Sequence, residues 1–186
     1  MKPLHLIASV LLVACHNGPP PLDPALLAAA ERTVRPNTTT LVTDGVLATG
    51  IYFVVDSGYG YPRTGVDRSH RAKADPASGY STLYIDPTPI VTPTNFTRVE
   101  VSPIKGSRYL TLDLDPVGVA RWYVAMRLVM DKQIAIVTGD TLFRSPFAYI
   151  DVNSAPPHRV PLDLGRATDG EVALFVQELN ALREKR

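Results

Sequence analysis

The chain has 186 residues, 45% of them hydrophobic and 20% charged, with 17 prolines, one cysteine and a formal net charge of +1. That length fits a single domain, large enough to bury about 70% of the surface its unfolded chain exposes. The near-neutral balance gives no electrostatic footprint for nucleic acid, and a single cysteine excludes an intrachain disulfide or a Cys-clustered zinc site.

The first stretch, MKPLHLIASVLLVAC, places one basic residue, Lys2, ahead of a mostly apolar run from Leu4 to Val13. This is the layout of a secretory signal, shorter than the about 20 residues a membrane-crossing helix needs. It ends in Leu12-Val13-Ala14-Cys15, which resembles the lipobox of bacterial lipoproteins. That resemblance implies that residues 1–14 are a signal peptide and that Cys15 is acylated, palmitate included. Several acyl chains anchor a protein stably where one is marginal. The expected location is the bacterial cell envelope, lipid-anchored to a membrane and facing the periplasm.

Residues 15–44 are expected to form a lipidated tether, a short helix and a linker, and residues 45–186 the folded domain. HNGPPPL is a Pro-rich, extended spacer. DPALLAAAERTV starts a helix, with Asp23 as N-cap and Pro24 at its first position, and Pro36 ends it. GVLATGIYFVVDS is the first convincing strand, β-branched and aromatic.

Residues 58–79 read as a long loop, and loops of that length are either functional or mobile. Its Arg63, Arg68, His70, Arg71 and Lys73 form a candidate anion or lipid-headgroup contact. A solvated surface loop has the same composition.

After Tyr80 the pattern becomes regular. STLYID is a short strand, and TPTNF one helical turn with Thr92 as cap and Pro93 first. TRVEVS and RYLTLDL are strands joined at Gly106. In the second, Leu110, Leu112 and Leu114 face one way and Tyr109, Thr111 and Asp113 the other, the mark of a sheet with one wet face. DPVGVARWYVAMRLVMDK is a helix with Val119, Trp122, Tyr123, Met126 and Met130 as its apolar stripe. QIAIVTGDTLFRSP is a hairpin, and a glycine in first place suits a II′ turn at Gly139-Asp140. VPLDL is another strand. The last helix opens on Thr168 and Glu171 at capping-box spacing and carries Val172, Phe175, Val176, Leu179 and Leu182. The expected fold class is α+β: an antiparallel sheet with two amphipathic helices packed on one face, plus a short N-terminal helix.

Four segments in this order resemble the head region of the first periplasmic domain of the SecD/SecDF protein-export family. They are PTPIVTPTNF (Pro89, Thr92, Asn95, Phe96), LDLDPVGVARW (Asp115, Pro116, Gly118, Trp122), KQIAIVTGDTLFRSP (Ile134 to Val137, Gly139, Asp140, Pro146) and GRATDGEVALFVQEL (Gly165, Thr168, Glu171). The resemblance spans residues 80–182. It implies a head-like fold and a periplasmic role in contact with an unfolded polypeptide or another envelope protein. The family couples protons through carboxylates on transmembrane helices, and this sequence has no apolar run to supply them.

Signals for catalysis are weak. There is no G-x-S-x-G elbow or S-x-x-K and no H-E-x-x-H. His16, His70 and His158 lie far apart, so no metal site is expected, and no cofactor motif is present. Asp113 and Asp115 read either as a carboxylate pair for acid–base work or, for Asp115, as a helix cap. The sequence therefore points to a non-enzymatic lipoprotein that binds a protein or unfolded polypeptide. Its candidate contacts are Tyr109, Thr111 and Asp113 on the wet sheet face and Phe143 and Arg144 on the hairpin's second arm. An envelope small-ligand binder or hydrolase using residues 58–79 is the alternative.

Overall fold

The computed structural model describes residues 21–34, 46–56, 71–74, 82–104, 107–128, 133–147, 157–165 and 167–184. The signal peptide and Cys15 lie outside the described residues. So do Arg63, Arg68 and His70 in the basic segment. The described elements, in chain order, are α1 (Pro24–Thr33), β1 (Gly50–Asp56), β2 (Arg71–Ala74), β3 (Thr82–Val91), a 3-10 turn (Pro93–Asn95), β4 (Phe96–Ile104), β5 (Ser107–Leu114), α2 (Pro116–Leu128), β6 (Ile134–Thr138), β7 (Thr141–Arg144), β8 (Arg159–Asp163) and α3 (Asp169–Arg183). The expected α+β class is what forms. Its strands divide into two antiparallel sheets, β2-β3-β1-β6-β7 and β4-β5-β8.

The helix ends follow the local chemistry. Asp23 caps α1 by accepting from the Ala25 amide at 2.8 Å. Asp115 caps α2: its Oδ1 accepts from Gly118 N at 2.6 Å, an amide with no partner within the helix, and its carbonyl accepts the first helical bond from Val119 N at 2.8 Å. At α3, Thr168 N donates to Glu171 Oε2 at 2.8 Å while Glu171 N donates to Thr168 Oγ1 at 3.3 Å, a reciprocal capping box.

The apolar runs in β1 and β6 reflect burial on two sides. Ile51, Phe53, Ile134 and Ile136 enter the main core with Trp122, Leu110 and Phe175. Tyr52, Val54, Ala135 and Val137 enter a second cluster with Ile85 and Leu142. The five-stranded sheet curls until β2 and β7 approach within 8 Å.

Three features differ from the sequence expectation. β3 runs ten residues, through Pro87 and Pro89. Its register against β1 slips between Tyr52↔Pro89 and Val54↔Ile85, so the prolines sit at an irregularity where no ladder hydrogen bond is needed. Asp86, fully buried there, accepts from Thr88 N at 2.8 Å. The loop expected over 58–79 is interrupted by β2, a weak strand sequence held by pairing with β3. The hairpin turn is also corrected: Gly139 and Asp140 both take positive φ, 48° and 68°, the signature of type I′ rather than II′.

Candidate functional site

The alternation in β5 produces the predicted wet face. Leu110, Leu112 and Leu114 are buried while Tyr109, Thr111 and Asp113 stay half-exposed. Pairing with β4 and β8 lays three rows across the outer surface: Arg98–Asp113–Arg159, Glu100–Thr111–Pro161 and Ser102–Tyr109–Asp163. The charged side chains interlock. Arg159 donates through Nε to Asp113 Oδ1 at 2.9 Å and through Nη2 to Glu100 Oε2 at 2.8 Å, and Arg98 pairs with Glu100. With Arg98 60% exposed and Arg159 55% exposed, each pair contributes at most about 1 kcal/mol. Their effect is to order a surface of alternating sign beside Tyr109.

Sequence reasoning found β5 but missed Arg98, Glu100 and Arg159. The available signal was Arg98-x-Glu100, two like-facing charges on a strand. Arg159 joins them only through cross-strand register.

Phe143 and Arg144 lie on the other sheet and face α3. The Phe143 ring stacks on Phe175 with centroids 4.4 Å apart and planes at 13°. Arg144 lies 4.8 Å over the Phe143 ring, donates to Phe143 O at 2.7 Å and reaches Glu171 Oε2 at 3.1 Å. Its side chain is only 13% exposed. These two residues fasten α3 to the hairpin and do not form one patch with Tyr109, Thr111 and Asp113. Neighbouring Ser145 has a buried hydroxyl without a hydrogen-bond partner among the described residues. In the basic segment, Arg71 and Lys73 occupy β2 opposite Ile85 and Leu83.

The carboxylate pair also resolves. Asp113 is bound to Arg159 and Asp115 caps α2, so the two oxygens serve separate partners. Glu171 is held down to about 2 by the Thr168 backbone hydrogen bond first, then by the Thr168 hydroxyl and Arg144. A depressed carboxylate stabilises the fold above its unfolded pKa, and that contribution disappears as pH falls through the folded value. Denaturant midpoints of the natural chain and Glu171→Gln should therefore differ at pH 7 and converge between about pH 4.5 and pH 2. A gap that stays constant over that window would show that Glu171 does not act through its charge.

The Gly139-Asp140 turn is tied into a polar cluster. Asp140 Oδ1 accepts from Leu47 N at 2.8 Å, Gly139 N donates to Thr49 Oγ1 at 3.1 Å, and Thr49 donates to Glu178 Oε1 at 2.7 Å. Beside it, the Tyr52 hydroxyl donates to Ala48 O at 2.5 Å. Burial, reinforced by the negative charge of Asp140, pushes Tyr52 up to about 12. The turn is scaffold: it joins β1, the hairpin and α3.

Among the described residues no three His, Cys, Asp or Glu side chains gather where a metal would sit. Between the sheets lies a void of about 10 Å³ lined by Ile51, Phe96, Leu110, Ile136, Phe175 and Leu179, room for at most one water. A shallow concavity of about 300 Å³ beside Glu31, Val124, Arg127 and Leu128 opens to solvent. No described helix is long and apolar enough to cross a membrane.

No protein-family model matches the chain, and no curated protein matches it. Among solved structures, the crystal structure of SecDF in super-membrane-facing form superposes with a TM-score of 0.45 at 14% identity, over 72% of this chain and 19% of that one. A likeness of that extent carries no inference about family, partner or activity.

Proposed function

We propose that this protein is a non-catalytic binding module of the bacterial envelope, lipid-anchored through Cys15, that holds a protein or unfolded polypeptide against the outer face of β4-β5-β8. The observation that carries the reading is that face itself. It is solvent-exposed or half-exposed, of alternating charge, and has Tyr109 and Thr111 on its middle strand. An aromatic ring among charges of both signs suits contact with varied peptide segments, because aromatics supply area at low entropic cost. The motif resemblance to the SecD head region suggests protein export or envelope assembly as the setting.

The test uses a permanently unfolded, reduced and carboxymethylated polypeptide as probe. The natural chain should bind it weakly and saturably, and Tyr109→Ala with Thr111→Lys should weaken binding about 10-fold, the scale of a central contact. Absent binding, or unchanged binding by the double variant with a native circular dichroism spectrum, would remove the reading.

A further inference from the structure

We propose that β4 is a docking edge for a second copy of this chain, paired antiparallel so that Arg98 of each copy lies opposite Glu100 of the other. The proposal does not rest on polypeptide binding by the sheet face. It starts from the sheet edges. An open edge displays unpaired amides and carbonyls and recruits another strand unless something blocks it. β7 and β2 have four residues each, and β7 is fastened to α3 through Arg144–Glu171 and Phe143–Phe175. β8 has five residues with Pro161 at its middle. β4 has nine, pairs with β5 on one side, and has no strand on the other among the described residues. Among the described residues α3 approaches it within 8 Å, and its two ends are closed. At the start, a register slip falls at Thr97, whose carbonyl accepts from Arg183 at 3.1 Å. Near the finish stands Pro103.

Charge selects the occupant and its register. Arg98 and Glu100 project from the same face, because residues two apart on a strand do. A two-fold pairing must keep like faces together, so the alternatives differ by whole two-residue steps. Centring the axis on Arg98 sets Arg98 against itself, and centring it on Glu100 opposes two carboxylates. Like charges directly opposite are unfavourable. Centring it on Val99 places Arg98 opposite Glu100 twice over and brings the half-buried Val99 of each copy together on the inner face. The product is an isologous, closed dimer with a continuous six-stranded sheet. The contact is a single strand pair, which places it in the weak, transient class below about 1,200 Å².

Sedimentation equilibrium of the purified chain up to about 1 mM should show a reversible monomer–dimer equilibrium. Arg98→Glu and Glu100→Arg should each weaken dimerisation about 10-fold or more, since both paired sites become repulsive. Mixed in equal amounts, the two variants should associate with each other, because their altered edges are complementary. That arm separates lost pairing from lost folding, as two misfolded chains would not restore one another. A natural chain that stays monomeric, single variants that dimerise unchanged, or a mixture that stays monomeric would each overturn the proposal. So would a crosslink from Ser102 to an unfolded probe polypeptide in place of a second copy.

Discussion

Replacing Asp140 by valine is expected to lower folding stability by about 2–5 kcal/mol, or roughly 5–15 °C in Tm for a chain of this size. Two independent terms add. The residue sits at φ 68°, where an L side chain costs about 1–2 kcal/mol and a β-branched one fares worst. Its Oδ1 also accepts from the amide of Leu47 at 2.8 Å, and a part-buried donor left alone costs about 1–3 kcal/mol.

Companion substitutions separate the terms. Asp140→Asn tolerates the conformation and keeps an oxygen for Leu47, so it should stay within about 1 kcal/mol. Asp140→Gly relieves the backbone but loses the acceptor, so it should fall between the two. Asp140→Asn should also bring Tyr52 down only slightly from about 12, because burial is the larger cause of its shift and the charge of Asp140 the smaller. Denaturant unfolding and a tyrosinate absorbance titration read these out. A valine variant within about 0.5 kcal/mol of the natural chain would mean that the turn is not held as described.

That turn also marks how far sequence reasoning reached. The hairpin and its two-residue loop were legible, because a Gly-Asp pair between two apolar runs admits little else; the register shift between Val137↔Leu142 and Ile136↔Arg144 was not. Its turn type was not. A leading glycine favours II′ only while nothing else bears on the turn, and here Thr49 bonds the Gly139 amide and Leu47 bonds the Asp140 carboxylate. Those partners are about 90 residues away in the chain, as their separations of 90 and 93 show.

The same limit explains the candidate site. Tyr109, Thr111 and Asp113 were readable from period-two alternation. Arg159 became their neighbour only through pairing of β8 with β5. Phe143 and Arg144 read as exposed from a short strand followed by proline, and α3 covers them through Glu171 and Phe175. Local chemistry (the caps at Asp23, Asp115 and Thr168) transferred from sequence to structure, while whatever depends on which surface meets which did not.

Arg121 shows what that second kind of information adds, and its removal is expected to be costly. No sequence pattern marks it, since it stands between apolar positions of α2 as one more solvated base. In the fold it reaches back to β3, donating through Nε to Ile90 O at 2.7 Å and through Nη2 to Pro89 O at 2.6 Å. Burial lowers its pKa, the sign of a cation held partly out of water, yet a guanidinium remains charged at any pH the fold would survive. Charged hydrogen bonds contribute about 1.5–3 kcal/mol each. Discounted for the solvent that still reaches the side chain, Arg121→Ala should cost about 2–4 kcal/mol.

Arg121→Lys is the sharper variant. A lysine keeps the charge but carries a single nitrogen, so it serves one carbonyl where the planar fork serves two. It should recover about half of the loss. Equal costs for the lysine and alanine variants would mean that the two-pronged geometry alone holds α2 to β3. Full recovery by lysine would mean that charge suffices and the fork is incidental. Pro89 and Ile90 sit where the register of β3 against β1 shifts at successive steps, so the clamp holds the strand at the point its prolines leave weakest. Loosening it should raise amide exchange in β3 (Ile90 and Val91) before that of β5.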